Sequence, residues 1–180
     1  MDRRPRPSPR ASRLGFPGRP PFSLHIPRLN AQAHLALLDW IHGDLNQAVE
    51  TAQQAVTEFS RAGIPFAPQG VCAYLALAGA AIDREERDTA GRWLDLAQDA
   101  AIESHIILAL ATMRARLDAA DGRLDQAIAT IRAARQNALD SPVPQAVLDC
   151  AVLTEADLLR NAGAYVDAEQ LAAWMKATDG

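Results

Sequence analysis

One short turn, met four times, limits what this chain can fold into more than any other feature. Gly43-Asp44-Leu45-Asn46-Gln47-Ala48 returns with small changes as Gly122-Arg123-Leu124-Asp125-Gln126-Ala127 and as Gly163-Ala164-Tyr165-Val166-Asp167-Ala168. Glu85-Glu86-Arg87-Asp88-Thr89-Ala90 fills the same place without the glycine. The four starts lie 42, 37 and 41 residues apart. A period of that size marks stacked helical hairpins, each too small to bury its apolar face alone. Glycine ends one helix by entering the left-handed backbone region. The next helix begins almost at once, so the two run antiparallel. The alanine closing each motif is small where the helices cross, and a larger side chain there would push them apart.

Between the turns, apolar residues recur at three- and four-residue spacing, the pattern of amphipathic helices. It predicts hairpins at about 31–42 with 44–62, 67–83 with 86–102, 104–120 with 123–138, and 145–161 with 164–177. Pro65, Pro68, Pro142 and Pro144 all fall between hairpins, where a break in the helix is tolerated. No stretch alternates with period two, so no strand is expected. The expected architecture is all-α: a tetratricopeptide-like α-solenoid of about four antiparallel hairpins, or about eight helices, over residues 30–180.

Residues 1–29 differ in kind. Pro5, Pro7, Pro9, Pro17, Pro20, Pro21 and Pro27 oppose helix formation, and the segment has too little apolar surface to offset its ordering entropy. It is expected to be a disordered, basic tail. Charge divides at the same place. Residues 1–30 hold seven Arg and one Asp (+6), and the remainder holds 11 basic and 21 acidic residues (−10), which closes to the net −4. An acidic helical body argues against nucleic-acid binding by the repeats, leaving the arginine-rich tail either as an arm for an acidic partner or nucleic acid or as a leader without function. No long apolar run suggests a membrane span. Cys72 and Cys150 are isolated in apolar helical contexts, which fits buried thiols in a reducing cytoplasm.

Patterns that carry catalysis or hold cofactors are missing from the sequence. It contains no phosphate loop, no GxGxxG after a strand, no HExxH and no nucleophile elbow, so no catalytic residue, metal or cofactor is expected. His25, His34, His42 and His105 are dispersed. Glu85-Glu86 and Glu155 with Asp157 pair carboxylates along the chain, and both read as solvated helix faces. Trp40, Trp93 and Trp174 read as packing residues within or between repeats. Arg114 and Arg116, with His105 upstream on the same helix, are the candidate groove contacts. First helices line the concave side of such solenoids, and a basic spot there can take an anionic group. The alternative is ion pairing of these arginines with Asp118 or Asp121.

Three runs carry a family resemblance. Ala73-Tyr74-Leu75-Ala76-Leu77-Ala78 leads through Asp83-Arg84-Glu85-Glu86-Arg87-Asp88-Thr89-Ala90 to Trp93-Leu94-Asp95-Leu96-Ala97. Met113-Arg114-Ala115-Arg116-Leu117 precedes the turn at Gly122, and Leu153-Thr154-Glu155-Ala156-Asp157-Leu158-Leu159 precedes Gly163. Over about 31–177 the chain resembles the helical repeat region of MalT-like, LuxR-type transcriptional regulators. In that family the repeats act as a sensor for an inducer or partner protein, between a nucleotide-binding switch and a DNA-binding helix-turn-helix. Neither flanking module has a counterpart here. The resemblance therefore implies the sensor portion alone, as a fragment or split gene, binding an effector or protein in its concave groove. The alternative is a free-standing protein–protein adaptor. The last helix carries Leu171, Ala172, Trp174 and Met175 with little sequence after it to cover them, so either self-association through that end or a missing neighbouring domain is expected.

Overall fold

The computed structural model describes residues 22–64 and 68–178, with side chains over 26–64 and 68–173. Among the described residues, eight α-helices follow one another: α1 (Phe22–Ile41), α2 (Leu45–Arg61), α3 (Val71–Asp83), α4 (Arg87–Ala100), α5 (Ser104–Ala120), α6 (Leu124–Ala138), α7 (Gln145–Asn161) and α8 (Tyr165–Thr178). A 3-10 turn, Pro68–Gly70, leads into α3. The fold is an all-helical repeat, and its hairpins are α1/α2, α3/α4, α5/α6 and α7/α8.

Each turn is built from backbone hydrogen bonds of one kind. At the first, the Gly43 N–H donates to the Trp40 carbonyl and the Asp44 N–H to the Asp39 carbonyl, both at 2.9 Å. The same paired bonds close the helices before Glu85, Gly122 and Gly163. Gly43, Gly122 and Gly163 have φ of 87°, 79° and 78°, and Glu85 takes φ 61° in the same register. Ala48, Ala90, Ala127 and Ala168 are fully buried, as the crossing requires.

One boundary differs from expectation. The first helix begins at Phe22, inside the segment read as tail, and holds Pro27 in its early turns. Pro27 forgoes one helical hydrogen bond, but the helix around it places Leu29 and Ala33 in the core. Burial of that apolar face outweighs a single missing donor. The remaining expected tail, 1–21, lies outside the described residues.

Successive first helices touch one another, α1 with α3, α3 with α5 and α5 with α7, while the second helices pack on first helices. The first helices therefore form the inner layer. Its centre is α3, buried continuously from Val71 to Ala81, with α1, α2, α4 and α5 around it. The main core runs from Leu29 to Leu117 across the first two hairpins and α5. A second core joins α5, α6 and α7, and a small third one, Ala156, Leu159 and Ala168, holds α8. No described helix is long and apolar enough to cross a membrane.

Candidate functional site

Three successive first helices each bring one side chain to a common point on the inner layer. Trp40 of α1 donates its indole Nε1–H to Asp83 Oδ2 of α3 at 2.8 Å. Arg116 of α5 donates from Nη2 to Asp83 Oδ1 at 3.0 Å. The Arg116 guanidinium also stands 5.6 Å from the Trp40 ring centroid, a cation–π distance. Asp83 thus holds an aromatic plane and a cation in fixed relation. The indole reaches this place because Gly79 has no side chain. A Cβ there would lie 2.4 Å from Trp40 Cε2. Arg116 and Trp40 both remain partly open to solvent. On α7, which packs against α5, Cys150 is exposed where a buried thiol was expected and feels the charge of Arg116, and Leu153, one turn further along, is also exposed. Partial burial holds the Cys150 thiol above its ordinary pKa, while the charge of Arg116 works the other way.

The candidate contacts read from the sequence are separated. Arg114 and Arg116 lie two residues apart, so they leave opposite sides of α5. Arg114 points to α4, where Nη2 meets Asp95 Oδ1 at 2.6 Å. It lines a shallow cleft with Arg87, Arg92, Asp121 and Arg123. His105 is at the start of α5, its Nδ1 3.5 Å from Glu103 Oε2. The three therefore form no common anion site. Ion pairing is what the arginines do, but with Asp95 and Asp83 in place of the expected Asp118 and Asp121. Asp118 is buried and accepts from Arg123 Nε and Nη2 at 3.2 and 2.6 Å, and Asp121 is shared by Arg123 and Arg87.

Glu155 is a second correction. Read as part of a solvated face, it is instead 1% exposed. It accepts from Arg132 Nε at 2.9 Å and Arg135 Nε at 2.8 Å. The residue faces the preceding hairpin, and two guanidiniums compensate the buried charge. Asp157 does stay in solvent, paired with Arg160. The signal for these junctions lay in the repeat. Asp95 and Arg132 both stand ten residues after a turn start, and Arg114 and Glu155 both stand eight before the next. The two junctions are one contact with its charges exchanged. Trp93 stacks on Tyr74 at 6.1 Å between centroids, so it packs within its hairpin as expected. The side chain of Trp174 lies outside those described.

Cys72 is buried at the head of α3, and burial, aided by the charge of Glu103, pushes its thiol up to about 11. Among the described residues, no group of three or more His, Cys, Asp or Glu is placed to hold a metal ion. No family model matches the chain, and no curated protein or solved structure is significantly similar to it.

Proposed function

We propose that this chain is a non-catalytic binding module that receives a segment of a partner protein, or an effector carried with it, on the inner layer of first helices. The Trp40–Asp83–Arg116 arrangement carries the reading. Trp and Arg dominate the energetics of protein interfaces, and here both are ordered before any partner arrives, which lowers the entropy cost of binding. Exposed Leu153 and Cys150 of α7, the helix packed on α5, add apolar surface. The resemblance of the repeats to MalT-like regulators suggests the finer role of an effector sensor in a transcriptional switch. The two unpaired cysteines suit a cytoplasmic setting.

The test is comparative capture from cell lysate with the full chain. A specific partner held by the wild type should be lost with Arg116→Ala and with Leu153→Asp, and kept with Gln126→Ala, which is exposed on the second helix α6. Equal capture by all three variants would place the binding surface elsewhere. The regulator role predicts a phosphate-loop NTPase and a helix-turn-helix encoded beside this reading frame; flanking DNA without either removes that role and leaves a free-standing adaptor.

A further inference from the structure

The hairpins are joined by one repeated register. At the two later junctions the residue eight before the turn start faces the second helix of the preceding hairpin: Arg114 meets Asp95 of α4, and Glu155 meets Arg132 and Arg135 of α6; in hairpin two the position is the buried Leu77. The residue five before the turn is apolar at all four hairpins: Leu38, Ala80, Leu117 and Leu158. The last three are buried. Leu117 reaches to 3.9 Å of where a Cβ on Gly91 of α4 would stand. In α1 these two positions are Leu35 and Leu38, and they are 53% and 47% exposed. They form a docking face with no preceding second helix among the described residues.

The opposite end is its complement. Each of α2, α4 and α6 has the next first helix packed on it, whereas α8 among the described residues has none. Its first turn exposes Tyr165 and Val166, at 64% and 67%. Ten residues after its turn start, where Asp95 and Arg132 carry the junction charges, stands Ala173, exposed and neutral. Interior junctions around α5 and α7 match charge with charge. The two ends offer a neutral pair, Leu35 opposite Ala173, so neither leaves a buried charge unpaired when they meet.

We infer that a second copy of this chain docks its α1 on α8, head to tail, in the register that already joins hairpin to hairpin within one molecule. The occupant is a second copy because the required surface, a second helix free along this register, is the one α8 displays. Such a contact uses different patches on the two partners and does not close on itself, so it adds copies in a row instead of stopping at a symmetric dimer.

The test uses the full chain and two surface variants. Leu35→Glu/Leu38→Glu blocks the α1 face. Val166→Asp/Ala173→Glu blocks α8, with Asp at a position that Asp88 and Asp125 already occupy in other repeats. Both variants should keep the wild-type circular dichroism spectrum and melting transition, which establishes that they remain folded. By sedimentation across a wide concentration range, the wild type should gain mass beyond a dimer, each variant alone should stay monomeric, and an equimolar mixture should form a heterodimer and nothing larger. A wild type that is monomeric throughout overturns the inference. So does a mixture that stays monomeric, or an α8 variant that associates like the wild type, which would mean α1 faces pair with each other. Association appearing only after deletion of residues 1–21 would assign the α1 face to the chain's own N-terminal segment, also against it.

Discussion

Glu85 stands at φ 61°, in a backbone region where its three counterparts are glycines. A side chain there costs about 1–2 kcal/mol, part of which glycine would return as entropy in the unfolded chain. Glu85→Gly is therefore expected to raise stability by about 0.5–1 kcal/mol, read as a higher urea midpoint with unchanged slope. Gly79 makes the opposite case. A methyl group there collides with the Trp40 indole at 2.4 to 2.7 Å, and the ring must leave Asp83. Gly79→Ala should cost about 1–2 kcal/mol net through overpacking. In a Trp40→Ala background the same change should turn stabilising by up to ~1 kcal/mol, because alanine is the better helix former. The Cys72 thiol links stability to pH. Below its ordinary value of 9.0 both folded and unfolded chains keep the proton; between there and about 11 only the folded one does. The unfolded state is then favoured as pH rises, and about 2–3 kcal/mol should be lost across that window. Cys72→Ala should flatten this part of the pH–stability profile.

At the scale of the element, the turns were the most legible part of the chain. Their residue types act locally: a residue able to turn left-handed, a helix start and a crossing alanine are fixed by the six residues of the motif. Ala127, fully buried at its crossing, makes this measurable, since Ala127→Leu should cost about 1–3 kcal/mol in chemical denaturation. The start of α1 was less legible because Pro27 speaks against a helix locally, whereas Leu29 is drawn in by a core assembled from residues far along the chain. The site was legible only in part. Arg116 is singled out by its place on a first helix, but its partners Asp83 and Trp40 come from two other hairpins, and no spacing along the sequence encodes which of several aspartates it meets. Glu155 failed as a solvated residue for the same reason: its neighbours Arg132 and Arg135 are on another helix. Glu155→Gln leaves those guanidiniums short of a counter-charge and should cost about 2–4 kcal/mol, moderated because Arg132 is partly in solvent. The loss should concentrate on the last hairpin and be visible as faster amide exchange in α7 and α8.

Across the whole molecule, stability is graded along the stack. The first two hairpins and α5 share one large core, while α8 is held by a cluster of three buried residues, Ala156 and Leu159 of α7 and its own Ala168. Amide exchange should therefore be slowest in α3 and fastest in α8, and this order should hold even where a melting curve appears as a single transition. Fold class followed from the turns because a repeated hairpin has few ways to stack. Which side chains meet on the inner layer is a property of the assembled stack, since Trp40, Asp83 and Arg116 come from three different hairpins. The continuous burial of α3 has a consequence for the order in which the protein is made. A chain emerging from the ribosome presents Val71 to Ala81 well before Leu117, the last contributor to the core that encloses them. During that interval α3 is an apolar helix still missing the wall that α5 supplies, a transient exposure of the kind that favours aggregation during synthesis.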